Sequence, residues 1–152
     1  QAVLAGTVVT VVDGVPERRW VHPVREAVIG MWTAWRTRGG RRVDDPARLA
    51  GNHVIVRSEG VVAVYAHLVP GSVCVTPGHL VEQGEVLGRV GHSGTSTSPH
   101  LHFQLMDDVD PHRARGVPAA FARYAVRRDG RWEDVRDGVP GRMERVRWSA
   151  VG

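Results

Sequence analysis

The sequence predicts a mainly β protein built from short antiparallel strands, and three observations carry that expectation. Eighteen glycines and nine prolines among 152 residues demand many tight turns and leave little room for long helices. Runs rich in β-branched residues with a period of two recur between those turns, as half-buried strands require. The stretch VTPGHLVEQGEVLGRVGHSG sets apolar residues between Gly78, Gly84, Gly88 and Gly91, which suits short strands turning at the corners of a sandwich or barrel. With 42% hydrophobic residues the chain can bury one domain's core.

Val3 to Val12 reads as a buried strand closed by a turn at Asp13-Gly14. An insertion over about residues 14–50 follows. Within it, Val24, Ala27, Val28, Met31, Trp32 and Trp35 recur at helical spacing, Pro23 suits a first helical position and Gly39-Gly40 a stop, so an amphipathic helix is expected there. Trp20, Trp32 and Trp35 are read as its buried face. Residues 36–48 are polar and Arg-rich, the composition of a surface loop. GNHVIVRSEGVVAVYAHL predicts two strands joined across Ser58-Glu59-Gly60, with Val61, Ala63, Tyr65 and His67 on one face of the second. In TSPHLHFQLM, alternation places His100, His102, Gln104 and Met106 on one face and Leu101, Phe103 and Leu105 on the other. The second set is expected to be core, so that Phe103→Ala would cost about 3 to 5 kcal/mol. Residues 1–116 form the domain on this reading and 117–152 a C-terminal extension, in which RRDGRWEDV can pair as an edge hairpin around Asp129-Gly130.

Composition excludes several classes. A single cysteine, Cys74, rules out an intramolecular disulfide and a cysteine-based zinc site, and in GSVCVTPG it reads as a small buried strand residue. The formal charge is +4, every one of the 20 basic residues is Arg, and acids are interleaved throughout. No block of one sign marks a nucleic-acid tail, so no nucleic-acid partner is expected. No apolar run approaches the ~18 residues that span a bilayer, and no basic segment with an apolar h-region opens the chain.

The chemistry concentrates in histidines. Two imidazoles one residue apart on a strand lie roughly 6.6 Å apart, close enough for one to hold an ion while the other touches what the ion binds. His67 ends the YAHL strand, and a glycine-punctuated segment can return the chain beside it. His67, His100 and His102 are therefore expected to converge on one groove, with ring nitrogens within reach of a common ion or water.

The ordered set GNHVIV, YAHL and VTPGHLVEQGEVLGRVGHSGTSTSPHLHF resembles the lysostaphin-type, or LytM-domain, zinc endopeptidases, which cut peptide cross-links in bacterial cell walls. The likeness covers roughly residues 3–106. It implies an antiparallel two-sheet fold of the duplicated-hybrid-motif kind, with the inserted helix as an addition. It also implies a zinc cofactor, His102 as a zinc ligand, and His100 and His67 as catalytic residues that orient or deprotonate the zinc-bound water and stabilise the oxyanion. Peptidoglycan peptides or a partner cell-wall hydrolase are the implied partners, and the cell envelope or extracellular space the implied location.

The resemblance also implies an H-x-x-x-D ligand pair ahead of the first strand, a position that falls before Gln1. One ligand does not make a catalytic zinc site, which takes about three from protein. These 152 residues alone are thus expected to bind zinc weakly or not at all, and to hydrolyse wall peptides at no appreciable rate. His22 and Glu26 share H-x-x-x-E helical spacing but follow the first strand, and read as a helix start and a solvated acid. His53 reads as a locally bonded sheet histidine, and His79, His92 and His112 as solvent-facing residues of turns and a glycine loop. A catalytically inactive module that binds peptidoglycan or a partner hydrolase is the second expectation. A biotinyl or lipoyl carrier is excluded by the absence of lysine, which leaves a phosphocarrier using His67 and His100 as a remote third.

Overall fold

The computed structural model describes residues 1–17, 46–141 and 143–147. The expected helix with Trp20, Trp32 and Trp35, and the pair His22 and Glu26, lie outside the described residues. The chain divides into two compact units, Gln1–Val117 and Pro118–Gly152.

The first unit is organised by a six-stranded sheet of order β4-β1-β2-β3-β5-β6, antiparallel at every pairing. Its strands are β1 (Gly6–Val12), β2 (Asn52–Ser58), β3 (Val61–Leu68), β4 (Leu80–Val81), β5 (His102–Met106) and β6 (Gly116–Val117). The β2–β3 hairpin turns at Glu59-Gly60, where Gly60 supplies a φ of 71°. Among the described residues between β1 and β2 the chain makes a helical turn, α1 (Pro46–Ala50), which overlaps the end of the loop expected over residues 36–48. Proline suits its first position, and Gly51 ends it at φ 63°.

Alternation sorts the sheet's faces. Val8, Val54, Val56, Ala63 and Tyr65 form the main core, with Phe103 and Leu105 against it. Each fully buried valine there contributes about 1.5 to 3 kcal/mol relative to exposure. Ile55, Val62 and Met106 form a smaller cluster on the opposite face, covered by Val9, Val64, Val109 and Ala114. The face of β5 that carries His102 and Gln104 is therefore polar at one end and apolar at the other.

Residues 69–91 make the layer over the main core, contributing Val75, Val81 and Leu87 to it. Its backbone bonds are isolated ones that do not build into a ladder, such as Val69 N to Arg89 O, Cys74 N to Leu87 O and Gly78 N to Val8 O. This segment holds only the two-residue β4 and a bridge at Leu68 and Val90, fewer strands than its pattern predicted. Positive φ at Gly71, Gly78 and Gly84 turns it too often for longer pairing. Cys74 departs from expectation as well: it is exposed, outside any strand, because Val75 faces the core and alternation turns its neighbour outward.

The second unit is a three-stranded antiparallel sheet of order β8-β7-β9, with β7 (Phe121–Arg128), β8 (Arg131–Gly138) and β9 (Arg145–Arg147). The hairpin at Asp129-Gly130 forms as the sequence indicates; both residues have positive φ, 49° and 79°, as a type I′ turn requires. Tyr124, Ala125 and Val126 are buried. Among the described residues, no helix is long and apolar enough to cross a membrane.

One register expectation fails. Leu101 is 39% exposed, because β5 begins at His102 and Leu101 precedes the pairing that would have aimed it inward. Phe103 and Leu105 face the core but are only half-buried. Leu101→Ala is accordingly expected to cost under about 1 kcal/mol, and Phe103→Ala about 2 to 3 kcal/mol, below the full range for a buried phenylalanine. Urea denaturation of the two variants checks this ordering; a larger loss at Leu101 would overturn the register.

Candidate functional site

Strict alternation along β3 would leave His67 on the core face beside Tyr65. The structure does otherwise. Asn52 pairs with Leu68 and Val54 with Tyr65, so β3 spends one residue more than β2 over the same interval. The extra residue is a β-bulge, a device that bends a strand and re-aims a side chain. His67 takes the left-handed conformation, φ 63°, which is strained for a residue with a Cβ. In consequence Tyr65 and Leu68 both enter the core, and His67 turns toward the face on which His102, paired with Ala66, stands.

The three predicted histidines come together. The rings of His67 and His100 lie 4.9 Å apart by centroid, inclined at 54°, and those of His67 and His102 5.8 Å apart, nearly perpendicular at 87°. His67 is buried, whereas His100 and His102 are exposed.

The second nitrogens explain how the rings are held. His67 Nδ1 lies 2.9 Å from the carbonyl oxygen of Ser93, and His100 Nδ1 2.7 Å from that of Ser98. A carbonyl only accepts, so Nδ1 carries the proton in both rings and Nε2 keeps its lone pair for chemistry. Ser96 Oγ donates to Ser98 O at 2.6 Å and stands 3.1 Å from His100 Nδ1 and 2.9 Å from His92 Nδ1. Its one proton is spent on the carbonyl, so it accepts from the two imidazoles. His102 Nε2 meets Gln104 Oε1 at a longer 3.4 Å.

The loop that presents these carbonyls is anchored by two buried residues that sequence reasoning gave no role, Asn52 and Ser93. Asn52 Nδ2 donates to Leu68 O and to Val15 O, while Oδ1 accepts from Val15 N. Ser93 Oγ donates to Leu68 O and accepts from Asn52 N. Two glycines make this contact possible: a Cβ on Gly51 would come 2.5 Å from Gly94 N, and one on Gly94 2.5 Å from Gly51 N. The available signal was the pairing of a glycine with a small polar residue in Gly51-Asn52 and in Ser93-Gly94.

His92 also departs from expectation. It is buried rather than solvent-facing, its ring held by Ser96 and its backbone N–H donated to Glu17 Oε1. His53 is the locally bonded sheet residue expected, buried with Nδ1 on Gly51 O at 2.7 Å. His79 and His112 are exposed. Asp13 accepts from Gly14 N and also from Gly71 N, tying the end of β1 to a second turn.

Burial pushes the pKa of His67 below its ordinary 6.5; the Ser93 carbonyl opposes this, and protons on His100, His102 or His92 would reinforce it. His67 is therefore a neutral base at neutral pH. Among the described residues, no group of three or more His, Cys, Asp or Glu side chains is arranged to hold a metal ion. The donor set there is imidazole alone, with two of the three Nδ1 atoms engaged by carbonyls, and it does not complete a zinc site.

The antiparallel β fold thus gathers three histidines, two of them with Nδ1 fixed by a backbone carbonyl and Nε2 left open. The chain belongs to Peptidase family M23, whose profile matches residues 39–114. It is similar to the DD-carboxypeptidase/endopeptidase Mpg of Neisseria meningitidis serogroup B, 39% identical over 90 residues, which are 59% of this chain and 18% of that protein. It is also similar to the glycyl-glycine endopeptidase ALE-1 of Staphylococcus capitis, 36% identical over 77 residues, 49% of this chain and 21% of the relative. Lysostaphin of Staphylococcus simulans is 35% identical over 77 residues, 49% of this chain and 15% of the relative. The chain thus spans about a fifth or less of the length of these relatives. Among solved structures, the catalytic domain of the prophage-encoded M23 protein EnpA from Enterococcus faecalis aligns with a TM-score of 0.47 at 20% identity, over 76% of this chain and 62% of that one.

Two predictions follow from the anchoring. Asn52→Ala removes three hydrogen bonds at the bulge and is expected to cost about 2 to 3 kcal/mol in urea denaturation. Because the folded pKa of His67 lies below the unfolded 6.5, the unfolded chain binds the proton more readily. The stability this group contributes is complete above about pH 6.5 and falls as pH drops through the window beneath it. Proton NMR titration of the imidazole Hε1 resonances should find His67 below 6.5, and His67→Gln should flatten the fall in urea midpoint between about pH 7.5 and 5.5. An unchanged slope would contradict the assignment.

Proposed function

We propose that residues 1–116 carry the histidine half of a peptidoglycan endopeptidase, acting on cell-wall peptide cross-links at the cell envelope, with residues 117–152 as an extension. The observation that supports this most directly is the convergence of His67, His100 and His102 at ring separations of 4.9 and 5.8 Å, produced by a bulge that has no other evident use. Membership of the family and relatives named as endopeptidases support the choice of substrate.

In this reading His67 and His100 are the catalytic pair. Each offers an Nε2 lone pair while its Nδ1–H is fixed to a carbonyl, which suits proton transfer to and from a reacting peptide without prior ring rotation. His67, kept neutral by its burial, is available to take a proton, and exposed His100 donates toward a developing oxyanion only once its Nε2 has received a proton from the reaction. His102 is the single metal ligand in these residues. Its Nδ1 makes no hydrogen bond among the described residues, and Gln104 orients the ring through the other nitrogen. The remaining zinc ligands are not found among the described residues, and no catalytic step is assigned to the ion here.

The test is hydrolysis of purified sacculi by the full-length gene product and by its His67→Ala, His100→Ala and His102→Ala variants. Each substitution is expected to lower release of free amino groups at least about 100-fold while leaving sedimentation with sacculi intact. Undiminished hydrolysis in any of the three would remove that residue from the site, and sedimentation without hydrolysis by the unaltered protein would assign a binding module instead. The 152-residue polypeptide on its own is expected to retain well under one equivalent of zinc after dialysis. Stoichiometric zinc, lost on His102→Ala, would place further ligands among His22, Glu26 and His53.

A further inference from the structure

The second unit segregates charge by face. Residues directly opposite each other in an antiparallel pair share a face, as do residues i and i+2 of one strand. The pairings Arg123 with Arg136, Ala125 with Asp134 and Arg147, and Arg127 with Trp132 and Arg145 therefore set five guanidinium groups on one face. All five arginines are exposed. Asp134 is the only carboxylate among these paired positions, held by Arg123 through a 2.7 Å hydrogen bond, which leaves a net charge of five minus one, or +4.

The other face is balanced. There Tyr124 pairs with Val135, Val126 with Glu133 and Val146, and Arg128 with Arg131. Arg128 reaches both Glu133, at 3.5 Å, and Glu144, at 2.9 Å.

Like charges directly opposite in a sheet destabilise it. The basic face has two such pairs, Arg123 with Arg136 and Arg127 with Arg145. The first is relieved in part by Asp134; the second has no carboxylate among the ion pairs of the described residues. That cost is offset when an anion occupies the face. Guanidinium forks match phosphate oxygens two at a time, and strand geometry spaces these groups by about 6.6 Å along a strand and about 4.8 Å across. Such a lattice is fitted to a chain of repeated phosphates more than to a single anion.

The face offers bases little. Trp132, the indole of this face among the described residues, is 39% exposed, but one side of its ring is taken by the Arg147 guanidinium at 4.6 Å from the centroid, and sequence-independent binding of single strands relies on a series of open aromatic rings for stacking. We propose that this face, formed by Arg123, Arg127, Arg136, Arg145 and Arg147, binds a linear phosphodiester polymer without bases, of the poly(glycerol phosphate) type. Binding there does not require the activity of the histidine site.

The experiment is fluorescence anisotropy of labelled poly(glycerol phosphate) titrated with the full 152-residue chain at several salt concentrations between about 50 and 200 mM. With four to five phosphates neutralised, log K is expected to fall against log salt with a slope of roughly −3. The triple variant Arg127→Gln, Arg136→Gln and Arg145→Gln should lose at least about tenfold in affinity and flatten the slope to roughly −1. It should melt no lower than the parent, since it removes repulsion. Arg131→Gln, on the balanced face, should change affinity by less than about twofold, and the polymer should raise the melting temperature of the unaltered chain. The proposal is overturned by absence of binding at the lowest salt, by a triple variant that melts normally and binds as the parent does, or by an equal loss in Arg131→Gln. Tighter binding of an oligothymidylate with the same number of phosphates would overturn it in favour of a nucleic-acid surface.

Discussion

Asn52 Nδ2 and Ser93 Oγ both donate to the carbonyl oxygen of Leu68, and on those two hydrogen bonds the geometry of the histidine site depends. They fix the far side of the bulge and join β3 to the loop that supplies Ser93 O and Ser98 O to the imidazoles. The strained backbone of His67 costs on the order of 1 to 3 kcal/mol. Each buried hydrogen bond returns about 0.5 to 1.5 kcal/mol, so the bonds of Asn52 and Ser93 together are of the size needed to hold it. The arrangement is also complete: among the described residues, no buried side-chain nitrogen or oxygen lacks a partner.

Much of this was legible in the sequence where one period governed a segment. The β2–β3 hairpin and the turn at Asp129-Gly130 follow from alternation and from residues that accept positive φ, and the three histidines could be grouped from their place at strand ends. The misjudgements fall where a local rule is interrupted. Alternation cannot announce a bulge, so it assigned His67 to the face of Tyr65, and the histidines meet because that assignment is broken at one residue. Leu101 was expected in the core because the register was extended one residue beyond the pairing that enforces it. Cys74 and His92 illustrate a different limit: their burial is set by which neighbour faces the core and by a serine four residues away, Ser96, whose hydroxyl accepts from two rings. Neither fact has a period.

The two units handle charge in opposite ways. His67 is buried with an uncharged carbonyl as its described hydrogen-bond partner, an environment in which a proton is easily given up. In the three-stranded sheet it sets guanidinium groups, which cannot be discharged at any ordinary pH, opposite one another. A site of the first kind responds to acidity, one of the second kind to ionic strength.

The strand order carries a consequence for how the chain assembles. β1 lies between β2 and β4, with Thr7 opposite both Arg57 and Leu80. Neither neighbour is near it in sequence, whereas β2 and β3 are joined by a tight turn. Loop-closure entropy penalises contacts between distant residues before they are rewarded, which makes such pairings the slow ones. The hairpin that contains Asn52 and His67 can thus form early, while β1 is synthesised before the strands that flank it and waits for both of its edges to be covered. An unpaired, valine-rich strand is an invitation to the wrong partner, so the yield of soluble protein should be governed by β1, a segment that contributes none of the three histidines.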